Sequence, residues 1–175
     1  MEQRPRIGEL LGIIGLVSSA DVSTALGRQA NEGARLGTCL LDLGLVDEAS
    51  LLAALGAQQA IGAVDAMALA ALPLDAASLL PARAAVRALA VPLDGTSTRL
   101  EVAMMDPCSL ALVDELTAVC GRRILPRLGL EIRIQETLER LYGVEVSGRL
   151  ARTRARLVKR AALPQASARN APDAA

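Results

Sequence analysis

Apolar residues in the first third of the chain recur every three or four positions, a spacing typical of amphipathic helices. A first helix is predicted over residues 7–14, ended by Gly15 in a left-handed conformation. Ser18 or Ser19 is predicted to cap a second helix that runs to about Ala30. The same pattern returns further along the chain, where Asp47 caps a helix over residues 48–61. Each occurrence of the pattern predicts two short helices, so four helices joined by short turns are predicted.

Strand-like alternation begins only after an alanine-rich stretch over residues 60–72, whose secondary structure the pattern leaves open. Arg99 to Met104 alternates between polar and apolar residues, and the apolar segment before it ends at the turn signal Asp94-Gly95. The predicted elements are a helix over 82–88, strands over 89–93, 99–104 and 123–128, and helices over 109–120 and 131–141. Their order predicts a small α/β layer.

The chain is therefore predicted to be of the α+β class. A four-helix, tandem-repeat subdomain that binds a ligand is expected over residues 1–62, and a small three-stranded α/β subdomain over residues 63–143. A basic helix or arm with a disordered tail is expected over residues 144–175, where positions 149–175 hold seven cations and one anion.

The helical part contains a duplication. Residues 6–29, the first unit, and residues 35–58, the second unit, agree at 11 of 24 positions without a gap. A helical bundle with a leucine core is one interpretation of the shared apolar positions. It does not explain why an arginine opens and a glutamine closes each unit, because long polar side chains have no packing reason to be fixed. Two equal half-sites instead suggest a ligand with two equal halves.

These residues resemble a known family. The pattern R-L-G-x-x-L-x-x-x-G-L-[IV], followed by A-L-x-x-Q and duplicated across a five-residue spacer, is similar to the N-terminal domain of type II secretion and type IV pilus assembly ATPases. The likeness is to the MshE type, which binds cyclic di-GMP, and it extends to Asp106-Pro107 and Leu141-Tyr142-Gly143. The ligand contacts that the resemblance implies are Arg6, Ile7, Gly8, Leu11, Leu26 and Gln29 in the first unit, and Arg35, Leu36, Gly37, Leu40, Leu55 and Gln58 in the second.

The side chains so implied suit a nucleotide. A guanidinium stacks on a purine and donates to phosphate or guanine acceptors, and a glutamine amide donates and accepts at a base edge. Leucines around such contacts exclude water and strengthen them. Gly12 departs from the pattern, because Leu41 fills the same position in the second unit, so the first half-site is expected to be the looser one.

Composition argues against an enzyme. The chain has no histidine, and its three separated cysteines form no C-x-x-C pair, so no metal site and no cofactor are expected. Cys108 and Cys120 are expected to be buried and inert. The carboxylate pairs Asp114-Glu115 and Glu136-Glu139 are interpreted as solvated surface rather than an acid-base site. The sequence contains no G-x-x-x-x-G-K-[ST] phosphate loop, and we predict no catalytic residue.

Other partners are constrained by the same composition. With no Trp or Phe and one Tyr, the chain lacks stacking platforms, so no specific nucleic acid is expected. No apolar run reaches the about 20 residues of a transmembrane helix, so we expect a soluble protein. The three separated cysteines favour reduced thiols and therefore the cytoplasm, and the family resemblance implies a bacterial protein. The basic tail is compatible with solvent contact only, with an acidic partner, or with weak attraction to nucleic acid or an anionic membrane.

The predicted function is a non-enzymatic cyclic di-GMP receptor that signals to a protein partner in a secretion, pilus or motility machine. The alternative is a scaffold or adaptor with the same fold that docks a partner ATPase without binding nucleotide. A third interpretation is a relic of a motor ATPase, for which a partner chain would carry the phosphate loop.

Overall fold

Four short helices form the N-terminal part of the chain. They are α1 (Ile7–Ile13), α2 (Ser19–Glu32), α3 (Leu36–Leu43) and α4 (Glu48–Gln59). A computed structural model describes residues 5–145, 153–155 and 157 of the chain. In this structure α1 packs against α4 and α2 packs against α3, so each unit meets the other through both of its helices.

Side-chain caps determine where α2 and α4 begin. The Ser18 hydroxyl accepts a hydrogen bond from the Asp21 backbone N–H at 3.2 Å, and the Asp21 carboxylate accepts one from the Ser18 N–H at 2.8 Å. Asp47 accepts from the Ser50 N–H at 2.8 Å. The first amides of a helix have no partner within it, so these contacts stabilise both starts. Hydrogen bonds from Ser18 lower the pKa of Asp21, and the Ser50 N–H likewise lowers the pKa of Asp47.

Matched glycines follow the first helix of each unit. Gly15 has a φ of 75° after α1, and Gly44 has a φ of 72° after α3. Both values lie in the left-handed region, which glycine adopts without a steric penalty. The duplication therefore preserves a backbone turn as well as side chains.

A three-stranded sheet follows the helices. Its strands are β1 (Ala90–Gly95), β2 (Arg99–Met104) and β3 (Arg123–Leu128), in the order β1-β2-β3, with β1 antiparallel and β3 parallel to the central β2. The helices of this part are α5 (Ala66–Ala70), α6 (Ala82–Ala88), α7 (Leu110–Cys120) and α8 (Glu131–Tyr142), with a 3-10 helix over Leu74–Leu79. The predicted α+β class, with a helical part before a small mixed sheet, is confirmed. The predicted boundaries of the subdomains stay a prediction.

The hairpin turn lies further along than the sequence indicated. Asp94 and Gly95 still pair with β2, and a register irregularity between Pro92 and Asp94 accommodates one extra residue. The chain reverses after Gly95, where the Thr96 N–H donates to the Arg99 carbonyl at 2.9 Å. The prediction of a turn at Asp94-Gly95 is therefore wrong, because the β-bulge at this irregularity extends β1 through both residues.

Two groups of buried side chains stabilise the fold. The N-terminal core joins the leucines of α1, α3 and α4 to side chains from β3 and α8, and the sheet core lies between the strands and the helices that cover them. Members of the N-terminal core are Leu11, Leu40, Leu51, Leu128 and Ile132. Members of the sheet core are Leu80, Leu100, Val102, Met104 and Leu138. Because β3 and α8 contribute to both groups, the two parts share packing.

A short helical stretch of the C-terminal segment lies against α8. Arg154 pairs with Glu136 (Nε to Oε1, 3.2 Å) and with Glu139 (Nη2 to Oε2, 2.7 Å). Leu157 is buried in the N-terminal core. The expectation that Glu136 and Glu139 form a merely solvated face is therefore wrong. The rest of the predicted basic helix and tail lies outside the described residues.

The cysteines differ in exposure. Cys39 is buried, and burial raises the pKa of its thiol. Cys120 is partly buried, but Cys108 is exposed in the loop after β2, where its Sγ donates to Gln59 Oε1 at 3.5 Å. The expected burial of Cys108 is wrong, because the Asp106-Pro107 break carries the chain out of the sheet. Within the described ranges no helix has the length and apolarity that crossing a membrane requires.

Candidate ligand-binding site

Glycines near the start of α1 and α3 allow the helices of the repeat to approach closely. A Cβ atom at Gly8 would lie 3.0 Å from Val22 Cγ1 of α2, and one at Gly37 would lie 3.1 Å from Leu51 Cδ2 of α4. Gly8 and Gly37 are matched positions, and so are Val22 and Leu51. These glycines therefore have a packing role in the folded chain, independent of any ligand.

A cavity of about 250 Å³ opens between the second unit and the α/β part. Its helical wall includes five of the six contacts implied for the second unit, together with one from the first. Those residues are Ile7, Arg35, Leu36, Gly37, Leu55 and Gln58. The opposite wall is the turn from β3 into α8, residues 128–132, with Met105 from the end of β2.

The other implied contacts lie elsewhere. Arg6 is exposed and Gln29 partly buried, and neither lines the cavity. Leu26 is 48% exposed on α2, whereas Leu11 and Leu40 are fully buried in the N-terminal core. The structure thus gathers the second half-site into a cavity and leaves the first half-site open, with Leu11 and Leu40 acting in the fold as core residues.

One hydrogen bond nevertheless connects the ends of the two units. Gln58 Nε2 donates to the carbonyl of Pro5 at 2.7 Å. The side chain that closes the second unit therefore lies beside the residue preceding Arg6. Arg6 and Gln58 belong to different units but stand at the same end of the helical subdomain.

Several residues that the sequence did not single out also line the cavity. Thr38 and Leu41 come from α3, and Glu131 opens α8. Thr38 Oγ1 donates to Glu131 Oε2 at 3.3 Å, and Gln135 Nε2 donates to Glu131 Oε1 at 3.4 Å. Leu41 was visible in the sequence as the counterpart of Gly12. Glu131 gave no signal, because it stands 93 positions from Thr38 along the chain.

An ion-pair network ties the second unit to the α/β part. Arg133 of α8 donates to both carboxylate oxygens of Glu48 at 2.7 and 2.5 Å, and to Glu136 at 2.7 Å. The hydrogen bonds to Glu48, more than those to Glu136, raise the pKa of Arg133. Two contacts to one carboxylate fix both charge and orientation. The start of α4 is therefore held against α8.

Three of the four carboxylates considered above, Glu115, Glu136 and Glu139, pair with arginines. Glu115 pairs with Arg87 at 3.1 Å, and Glu136 bridges Arg133 and Arg154. Among residues 5–145, 153–155 and 157 there is no group of three or more His, Cys, Asp or Glu side chains able to hold a metal ion. What the cavity offers is a cation, an anion and two amides set among leucines, which is chemistry for binding.

Known proteins resemble this chain in sequence and in structure. Its structure resembles that of MshE with cyclic di-GMP, at 32% identity and a TM-score of 0.61, over 79% of this chain and the whole of the other. The chain belongs to the MshEN domain family. The sequence profile of the MshEN domain itself matches residues 62–148, so that match covers the α/β part rather than the tandem units.

Two further proteins are similar to this MshEN domain. The N-terminal domain of XpsE is 27% identical, with a TM-score of 0.56, over 82% of this chain and all of that one. The type IV pilus assembly ATPase PilB of Myxococcus xanthus is 33% identical over 137 residues, which is 78% of this chain. The chain spans about a quarter (24%) of the length of PilB.

Proposed function

We propose that this MshEN domain binds cyclic di-GMP, without a catalytic step, and relays the bound state to a protein of a secretion, pilus or motility machine. The observation that carries the proposal is the meeting of Arg35, Leu55 and Gln58 at one cavity. The family resemblance implied these residues as ligand contacts, and they come from the two ends of the second unit. The similarity to MshE, solved with cyclic di-GMP, supports the choice of ligand.

The chemistry of the cavity suits one half of this ligand. Arg35 supplies a guanidinium for a phosphate or for the O6 and N7 acceptors of guanine, and Gln58 supplies an amide for a base edge. Leu36 and Leu55 keep water away from those contacts. A cavity of about 250 Å³ lies below the about 300–1,000 Å³ of sites that enclose a whole drug-sized ligand. One guanine half therefore enters it, and the other half lies over the exposed end near Arg6.

Relay to a partner requires a difference in affinity between two arrangements of the domain. The helices of the first unit contact those of the second, and a ligand that spans both units would favour the closed arrangement. Such a closure changes the surface that the first unit offers to a partner.

Isothermal titration calorimetry with cyclic di-GMP tests the proposal, with GMP and ATP as competing nucleotides. Arg35→Ala should weaken binding about tenfold to a hundredfold, the range expected when a hydrogen bond to a charged group is lost. Arg6→Ala should weaken it less, because Arg6 stands outside the cavity. Arg83→Ala, an exposed arginine of α6, is the matched control and should bind as the wild type does.

Two outcomes would contradict the receptor. One is a folded wild-type protein that gives no binding heat with cyclic di-GMP. The other is an Arg35→Ala variant whose affinity equals that of the control.

A scaffold that docks a partner ATPase without nucleotide is the second candidate. The observation that favours it is a set of exposed apolar side chains on the first unit, Ile13 at 76%, Ile14 at 51% and Leu26 at 48%. Apolar patches of this kind mark interaction surfaces. The titration distinguishes the two functions, because a scaffold binds no cyclic di-GMP.

A further inference from the structure

Glu131 places a carboxylate in the wall of the cavity that faces the second unit. The residue is the first of α8, and only 7% of its surface is exposed. Resting on the proposed function, we propose that Glu131 selects guanine over adenine by accepting hydrogen bonds from the N1–H and the N2 amino group of one base. The α/β part would then add a second base-reading contact to those that Arg35 and Gln58 of the second unit supply.

The surroundings of Glu131 fix the carboxylate in place. Thr38 Oγ1 of α3 donates to Oε2 at 3.3 Å, and Gln135 Nε2, one turn along α8, donates to Oε1 at 3.4 Å. An ionised carboxylate accepts hydrogen bonds at about four positions, so it can hold Thr38 and a ligand donor together.

The charges around the cavity complement guanine. Arg35 lines the same cavity and donates to acceptors such as O6 and N7. The Watson–Crick edge of guanine carries adjacent donors, N1–H and the N2 amino group, which match the two oxygens of a carboxylate. Adenine has an acceptor at N1 and no N2 amino group, so the same pose would set a lone pair against the Glu131 carboxylate. A cation on one side and an anion on the other therefore match guanine and reject adenine.

Competing apolar contacts do not discriminate in this way. Leu36, Leu55 and Leu130 also line the cavity, and they contact either purine equally. A site built to hydrogen-bond a specific group rejects an analogue that lacks it more strongly than an apolar pocket does. The carboxylate is thus the element that the α/β part contributes to reading the base.

The test is a pair of calorimetric titrations, with cyclic di-GMP and with cyclic di-AMP, on wild type and Glu131→Gln. The substitution keeps size and replaces one acceptor oxygen by a donor. Glu131→Gln should bind cyclic di-GMP about tenfold to a hundredfold more weakly, and its affinity for cyclic di-AMP should stay within about threefold of wild type. Glu139→Gln is the matched control, because it makes the same change on α8 at a residue that pairs with Arg154 and does not line the cavity. It should leave both affinities unchanged.

The outcomes separate this inference from the proposed function. A wild type that binds neither dinucleotide removes the receptor function and the inference with it. A wild type that binds cyclic di-GMP, with a Glu131→Gln variant that keeps the same preference over cyclic di-AMP, overturns the inference alone. An equal loss of affinity for both ligands overturns it too, since that is the signature of a structural role.

A conservative variant covers the case in which Glu131→Gln does not fold. Glu131→Asp keeps the charge and withdraws the oxygens by one methylene. The preference for cyclic di-GMP over cyclic di-AMP should then fall to a value between that of the wild type and one. An unchanged preference in Glu131→Asp, with thermal melting showing a folded protein, overturns the inference.

Discussion

Leu11 and Leu26 lie in the same unit and were implied as equal ligand contacts, yet their burial separates their roles. Leu11 is 0% exposed in the N-terminal core, whereas Leu26 is 48% exposed on α2. Leu11→Ala should lower the free energy of unfolding by about 2–5 kcal/mol, because it removes buried methyl groups and leaves a cavity. Leu26→Ala should lower it by about 1 kcal/mol or less, because about half of that side chain already contacts water.

The expected shifts are large enough to measure. In a chain of this size 1 kcal/mol changes the melting temperature by roughly 2–4 °C, so a loss of about 3 kcal/mol in Leu11→Ala corresponds to about 6–12 °C. The chain has no tryptophan, so unfolding in urea is best followed by far-ultraviolet circular dichroism. A single transition is expected, because Leu128 and Ile132 from β3 and α8 belong to the same core as Leu11.

Two results would refute this reasoning. One is a Leu11→Ala variant as stable as the wild type, and the other is a Leu26→Ala variant that loses as much stability as Leu11→Ala. Ligand titration adds an independent readout. Leu26→Ala should weaken cyclic di-GMP binding with a fall in melting temperature of about 4 °C or less, because the exposed face of α2 is expected to meet the ligand.

Three further predictions concern the backbone and titrating groups. Gly27→Ala should raise the unfolding free energy by about 0.5–1 kcal/mol in urea, because its Cβ would meet no atom within 4 Å in α2, whereas Gly8→Ala, pressed against Val22, should show no such gain. Asp47→Ala should lose about 1 kcal/mol at pH 7 and Asp47→Asn much less. Folding lowers the pKa of Asp47, so its contribution to the unfolding free energy is present above the unfolded pKa of about 3.9 and is lost as the pH falls through the folded value. A difference in unfolding free energy between wild type and Asp47→Ala that persists in acid would contradict this prediction. Burial raises the pKa of Tyr142 to about 12, so ultraviolet titration of this sole tyrosine should have its midpoint there. The protonated phenol stabilises the fold below pH about 10, and this stabilisation is lost as the pH rises toward about 12. A midpoint near about 10 would contradict the burial.

Local signals in the sequence were sufficient to predict the elements whose ends are determined by nearby residues, such as N-terminal caps. Ser18 and Asp47 cap the helices that they were expected to cap, and β2 and β3 occupy the predicted ranges. The alanine-rich stretch gave no such signal, since alanine is compatible with either face of a helix. That is why α5 was not predicted; the 3-10 helix over Leu74–Leu79, which lies between this stretch and α6, was not predicted either.

The candidate site was predictable only on its helical side. Repetition marked Arg35 and Gln58, because a duplicated polar residue stands out against variable surface positions. The opposite wall depends on contacts between distant parts of the chain, such as Thr38 with Glu131, and periodicity carries no information about such pairs. Gly12 distinguished the first motif from the second, but neither motif indicated that the α/β part would enclose the residues of the second unit.

The unequal half-sites follow from where the α/β part attaches. Glu48 is held by Arg133 and Thr38 by Glu131, so both helices of the second unit are fixed to α8. The first unit meets the second through α1 on α4 and α2 on α3, and Gln58 donates to Pro5 across that contact. A ligand that reached both units would therefore restrain the first unit against the second unit, which is already anchored to α8. Under the proposed function, the enclosed residues of the second unit would supply specificity, and the exposed end of the first unit would convert binding into a change in the position of that unit.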